Sequence, residues 1–194
     1  MTPRRFKTLQ RINTPGHARE LTFSTANRTP LLATPAIAEL FLNQFRVAAD
    51  RHAFALTAFV VMPDHVHLLG TSGNADHANA APVSAFLASV KRSTSYRVKQ
   101  WLTATDPDRA DAMMHNERSG KRVFRFWQPG GGYDRNLTEP DSVQASIDYI
   151  HHNPVRAGLT DTAQAYEWSS ARQWADAGCR LPEWMPKITR GTFH

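Results

Sequence analysis

Polar and apolar residues alternate through residues 20–25 (ELTFST), as they do on a half-buried strand. Pro30 and Pro35 bracket a loop. Residues 36–51 then set Ile37, Leu40, Phe41, Phe45 and Ala48 at helical spacing, which predicts an amphipathic helix. Residues 52–62 carry the apolar run FALTAFVVM, a buried strand. Pro63 and Asp64 interrupt it, and residues 65–70 (HVHLLG) resume as a second strand. Residues 71–82 are small and polar and read as a flexible loop. A basic amphipathic helix is predicted over 83–102, a strand over 123–127 (VFRFW) with the turn-rich QPGGGYD after it, and a helix over 138–152. Thr138 is the expected N-cap of that helix, Pro140 suits its first turn, and Pro154 should stop it. The order of elements predicts an α+β fold, with an antiparallel sheet and helices mainly on one face.

Composition narrows the class. The 194 residues fit one domain with extended ends and suffice for a hydrophobic core. Cys179 is the sole cysteine, so no internal disulfide forms, which suits a reducing cytoplasm. No apolar run approaches the ~20 residues that span a bilayer, and the basic N-terminus lacks a signal-peptide core. Lys and Arg number 23 against 17 Asp and Glu, a net charge of +6, which points to a polyanionic partner, nucleic acid first. The charge is clustered. Arg4, Arg5 and Lys7 mark an N-terminal basic arm over residues 1–16, and Lys91, Arg92, Arg97 and Lys99 lie together with no acid among them. A further cluster is Arg118, Lys121, Arg122 and Arg125.

His65 and His67 stand two apart in a strand, so both imidazoles project to one side while Val66 and Leu68 face the packed layer. Such a pair is half of a divalent-metal site, or simply two hydrogen-bonded surface residues. With one cysteine, a thiolate zinc site is excluded. Asp64 is adjacent but should face away.

The segment IDYIHHNPVRAGL supplies candidate partners. On a helix Tyr149 and Asn153 are i and i+4 and share a face, with Ile147 and Ile150 free to anchor it. A carboxamide oxygen suits Mg²⁺ or Mn²⁺. His152, three residues from Tyr149, is the alternative third ligand, and Asn153 is alternatively a helix cap. Beside a cation, a tyrosine can attack a phosphodiester. Of the other tyrosines, Tyr133 after its glycine turn is the main rival nucleophile, Tyr96 sits among basic residues, and Tyr166 precedes Trp168 and should pack.

The strand VVMPDHVHLLG resembles the His-hydrophobe-His (HUH) motif of single-tyrosine, IS200-like transposases. FRFWQPGGGYDRNL, YIHHNPVRAGL and YEWSSAR are similar, in that order, to the REP-associated tyrosine transposases of bacteria, so the likeness runs over residues 17–172 and leaves a tail at 173–194. It departs from the family at Gly130, Gly131 and Gly132, where a looser backbone is expected, and over 103–120, which carry no family feature.

The resemblance implies a ferredoxin-like or RRM-like sheet with the HUH strand central. It implies metal-dependent cleavage and joining of single-stranded DNA at palindromic hairpin repeats, through a 5′-phosphotyrosine, by a cytoplasmic, nucleoid-associated protein acting as monomer or dimer. Carried over, the metal ligands are His65, His67 and Asn153, the ion is Mg²⁺ or Mn²⁺, and the nucleophile is Tyr149. The expected DNA contacts are Arg4, Arg5, Lys7, Lys91, Arg92, Arg97, Lys99 and Arg156. The alternatives are a domesticated hairpin-binding protein that no longer cuts, and an RRM-like RNA-binding module. VFRFW lacks the glycine-and-aromatic pattern that the last requires.

Overall fold

The computed structural model describes residues 17–72, 83–117 and 120–190. The basic arm with Arg4, Arg5 and Lys7, most of the loop expected at 71–82, and Arg118 lie outside them.

A four-stranded antiparallel sheet organises the chain, in the order β2-β3-β1-β6. Strand β1 (Ala18–Ser24) leads through a short connection to helix α1 (Pro35–Arg51), then to the hairpin of β2 (Phe54–Met62) and β3 (His65–Ser72). Helices α2 (Val83–Thr105) and α3 (Pro107–Ala112) follow. Strands β4 (Met114–Asn116) and β5 (Arg122–Phe124) form a separate two-stranded ribbon. Then come β6 (Tyr133–Leu137), helix α4 (Pro140–Arg156) and the short helix α5 (Ala171–Ala175). The HUH strand, β3, is internal, paired with β2 on one side and β1 on the other.

Strand periodicity divides the sheet into two faces. Leu21, Phe23, Phe59, Val66 and Leu68 point to the side covered by α1 and α2, into an aromatic-rich core with Phe41, Phe45 and Phe86. Ala18, Ala58, Val60, Met62 and Leu69 point to the other side, where Val143, Ile147 and Ile150 of α4 cover them. Two long helices therefore share one face, and the third, alone on the opposite face, covers the histidine side of β3.

Four elements depart from the sequence expectation. The strand expected at 123–127 ends at Phe124 because Phe126 and Trp127 turn inward; Trp127 sits edge-on to Phe23 at 5.0 Å. The 103–120 stretch without pattern holds α3, capped by the Asp106 side chain accepting from the Arg109 N–H, and β4. The glycine turn is tightly packed at its last residue. Gly132 has φ +70°, and a Cβ there would lie 2.0 Å from the Thr22 carbonyl oxygen, so glycine alone lets this loop cross β1 and start β6. β6 itself lies where a turn was expected. It is an edge strand with only Leu137 buried, so its polar sequence carries no alternation. Its register is pinned by a buried ion pair, in which Arg19 donates from Nε and Nη2 to Asp134 Oδ1 at 3.0 and 2.7 Å.

Helix α4 begins with Glu139 rather than Thr138 at its N-cap, and it runs through Pro154. Proline removes one N–H donor two residues before the end, where little of the ladder remains to be broken. The stop is Gly158, at φ +68°. Its N–H donates to the Val155 carbonyl and the Leu159 N–H to the Pro154 carbonyl, the paired bonds of a Schellman motif. A Cβ at Gly158 would meet nothing within 4 Å, so substitution carries only the backbone cost. Gly158→Ala should therefore destabilise the protein by about 1 kcal/mol in denaturant titration. Unchanged stability would show that the motif contributes nothing.

The chain from Leu159 on packs on the sheet. Its backbone bonds along the outer edge of β2, with Val61 N–H donating to Trp168 O and Ser170 N–H to Phe59 O. Trp174 Nε1 donates to Thr57 O, and Trp168 lies 5.6 Å from Trp184. His151 of α4 is clamped in this seam, its Nε2 2.9 Å from Ser170 Oγ. Burial holds the His151 imidazole down at about 4, against a raising influence of Asp148. An unfolded imidazole ionises near ~6.5, so between about pH 6.5 and 4 the unfolded chain binds more protons than the folded one. Stability should fall across that window on acidification, by up to about 1.4 kcal/mol per pH unit for each such histidine. His151→Gln should flatten the dependence measured by denaturant titration; an unchanged slope would remove His151 as its source.

Candidate active site

The turn between β2 and β3 builds one side of the site. Pro63 and Asp64 form a two-residue connection, with Met62 opposite His65. The turn curls the Asp64 carboxylate back onto His65, with Nδ1 and Oδ1 2.6 Å apart, although the sequence pattern has it facing away. Arg28 holds the other carboxylate oxygen at 2.7 Å. Arg28 and its neighbour Asn27 both have positive φ, 55° and 53°, a conformation that costs an L-residue on the order of 1 kcal/mol and needs tertiary support. No periodicity or motif marks Arg28 in the sequence.

Two residues further along the strand, Thr22 of β1 stands opposite His67, and its hydroxyl is 2.8 Å from His67 Nδ1. Both Nδ1 atoms are thus occupied, and the two Nε2 atoms converge to 3.1 Å. Two nitrogen ligands at right angles on an octahedral ion, each ~2.1 Å away, are about 3.0 Å apart. Outer carboxylate or hydroxyl partners on Nδ1 are what orient metal-binding imidazoles. Burial, reinforced by His65, Arg28 and Arg156, holds His67 down at about 4, so at neutral pH it is uncharged with a lone pair to donate. The histidine pair fits a divalent ion.

Helix α4 forms the other side. Tyr149 reaches over β3, its ring edge-on to His67 with centroids 5.7 Å apart. It is 45% exposed, and its hydroxyl makes no hydrogen bond among the described residues. Arg156 stacks its guanidinium 4.4 Å from the Tyr149 ring centroid and donates to the Tyr149 carbonyl at 2.7 Å. Asn153 donates its Nδ2 to the same carbonyl at 2.9 Å, which turns its oxygen elsewhere. His152 donates from Nδ1 to the Asp148 carbonyl and lines a separate cleft with His151 and Trp174. Among the described residues, no three of His, Cys, Asp and Glu gather as a metal site.

A cleft of about 550 Å³ opens between α4 and the sheet, lined by His67 and Tyr149 at one end and by Glu20, Tyr133, Arg135 and Ser142 beyond. The rival Tyr133 thus shares the cleft, 53% exposed on β6. Tyr166 does not: burial pushes its phenol up to about 12, and its hydroxyl donates to the Val61 carbonyl. Tyr96 is exposed on α2, where Gln100 donates to its hydroxyl.

The basic helix α2 packs on the face opposite α4. Arg92, Arg97 and Lys99 are exposed there. Lys91 is half-buried, its ammonium 5.2 Å from the Phe23 ring and donating to the Gly130 carbonyl at 3.2 Å. It lines a smaller cleft with Gln128, Gly132 and Tyr133, next to the histidine cleft.

The family model described as "Transposase IS200 like" matches residues 16–153. The chain belongs to that family. A Haemophilus influenzae protein named as a REP-associated tyrosine transposase is 24% identical over 149 residues, covering 74% of this chain and 76% of that one. A solved structure of a REP-associated tyrosine transposase bound to a REP hairpin superposes with a TM-score of 0.66 at 18% identity, over 97% of this chain and 96% of that one. The resemblance read from the HUH and tyrosine segments therefore holds at the level of family and fold, and this is an IS200-like transposase with the architecture of the REP-associated type. Among the described residues, no helix is long and apolar enough to cross a membrane.

Proposed function

We propose that this transposase cleaves and rejoins single-stranded DNA beside a palindromic hairpin, with Tyr149 as nucleophile and a Mg²⁺ or Mn²⁺ ion held by His65 and His67. The observation that carries the reading is the seating of Tyr149 on His67 at 5.7 Å, directly beside the converging Nε2 atoms. The matching architecture of a relative bound to a REP hairpin supports the substrate class. Asn153 is the third ligand in this reading. It continues the stripe of Ser142, Ser146 and Tyr149 along α4, at i+4 from Tyr149, and its nitrogen is already committed to a backbone carbonyl.

An ion held by His65 and His67 would supply Lewis acidity to a phosphodiester. The residues position and activate around it. Asp64 and Thr22 fix the imidazole rings, Arg28 keeps the Asp64 carboxylate in place, and Arg156 brings a cation over Tyr149 where negative charge builds up on the phosphate. The Tyr149 oxygen attacks phosphorus and its phenol proton passes to solvent, while the bond from phosphorus to the 3′ oxygen breaks and the departing oxygen takes a proton from solvent. The products are a 5′-phosphotyrosine and a free 3′-hydroxyl, and the reverse step rejoins DNA. Lys91, Arg92, Arg97 and Lys99 contact the hairpin backbone in this reading, so affinity should fall steeply with salt.

The test is to incubate the protein with hairpin DNA carrying single-stranded flanks and follow adducts that survive denaturation. An adduct requiring Mg²⁺ or Mn²⁺ and abolished by chelation is expected. Hairpin binding without an adduct under either ion would identify a binding protein instead.

A further inference from the structure

The cleft beyond Tyr149 is larger than the reacting groups require. Along α4 it extends from Tyr149 back to Ser142, seven residues or about 10 Å of helix. Its floor is the outer part of β1 and β6, where Thr22 is opposite Tyr133 and Glu20 opposite Arg135. Opposed residues on paired strands project to the same face, so all four side chains stand under α4.

Four of the groups there have chemistry to spare. Glu20 and Arg135 are opposite charges directly across two strands, a placement that ordinarily favours pairing. They form no ion pair, and neither side chain hydrogen-bonds to another described residue. The hydroxyl of Ser146, in a residue 6% exposed, lines the cleft with no hydrogen-bond partner. Tyr133 presents an exposed ring at the edge of the same space. A carboxylate, a guanidinium, an unsatisfied hydroxyl and an open aromatic face around one cleft form a complement to a single nucleotide. The ring stacks on a base, the cation takes a phosphate, and the two oxygens meet the base edge.

We propose that this cleft is a base-reading subsite. It takes one unpaired nucleotide adjoining the phosphodiester attacked by Tyr149, and it selects a base bearing an exocyclic amino group. This rests on the strand-transfer reading for the position of the scissile bond, but not for the recognition itself. The preference follows from Glu20. A carboxylate only accepts hydrogen bonds, so it suits the amino groups of cytosine, adenine or guanine. Thymine offers a single ring N–H between two carbonyl oxygens, which a carboxylate opposes. Arg135 binds the nucleotide whatever its base.

The experiment uses hairpin oligonucleotides in which each flank position carries each of the four bases in turn. Adduct formation is measured with Mn²⁺, and binding by fluorescence anisotropy. Wild-type protein is expected to discriminate against thymine by about tenfold at one flank position beside the cleaved bond. Glu20→Gln, which can donate as well as accept, should erase the discrimination at that position alone and leave the metal requirement unchanged. Arg135→Ala, at an exposed residue, should weaken all four bases equally. A Glu20→Gln base profile identical to wild type, or a change in metal requirement instead, would overturn the proposal. If no oligonucleotide gives an adduct, the strand-transfer reading fails by itself. The anisotropy series then decides the subsite: a base preference erased by Glu20→Gln supports it, and its absence overturns it.

Discussion

Tyr149→Phe is expected to abolish the covalent protein–DNA adduct, a loss of roughly 10³-fold or more, while hairpin affinity changes by less than about twofold. The separation follows from what the hydroxyl touches. It has no hydrogen-bond partner among the described residues, so its removal leaves no buried group unpaired. The ring contacts to His67 and to the Arg156 guanidinium survive in phenylalanine. Thermal stability should therefore stay near that of wild type. The matched control is Tyr133→Phe, which keeps the stacking ring in the same cleft and should still form adduct.

His67→Ala is the second large effect. His67 lies at the centre of the constellation, held by Thr22, converging on His65 and seating Tyr149. Its loss removes one of the two nitrogen ligands and the surface against which the nucleophile rests. Metal affinity should fall by more than the roughly 10–100-fold that loss of an outer partner costs. Adduct formation should drop with it, and saturating Mn²⁺ should restore it only in part. Calorimetric titration of Mn²⁺ into both proteins checks the first point. Equal affinities would remove His67 from the metal site. A folded control is required, because His67 is 8% exposed and packs in the interior.

The histidine strand was legible because its signal is local. Alternation alone places His65 and His67 on the face opposite Val66 and Leu68, and the structure has them so. The helical spacing that leaves Ile147 and Ile150 free to anchor likewise survives, since both isoleucines of α4 are buried against the sheet. What the sequence hides is contact made by turns and edges. Asp64 reaches His65 only because a two-residue turn reverses its side chain. Arg28 reaches Asp64 through a left-handed backbone that no pattern announces.

β6 was invisible for a related reason. An edge strand with one buried residue has no apolar alternation, yet it delivers Tyr133 and Arg135 to the cleft. Pro154 alone predicts a stop, but Gly158 behind it terminates α4, and the extra turn brings Arg156 over Tyr149. The likeness of YIHHNPVRAGL to a known family carried the nucleophile assignment further than spacing did. In the structure His152 lines another cleft, and Asn153 donates to the Tyr149 carbonyl.

The central claim is that Tyr149 becomes joined to DNA. Its most direct test is to trap the adduct on a flanked hairpin with Mn²⁺, digest protein and DNA, and locate the nucleotide-bearing peptide by mass spectrometry. A 5′-phosphonucleotide on Tyr149 is the result expected. The same mass on Tyr133, or no modified tyrosine in a sample that has cleaved its DNA, would contradict it.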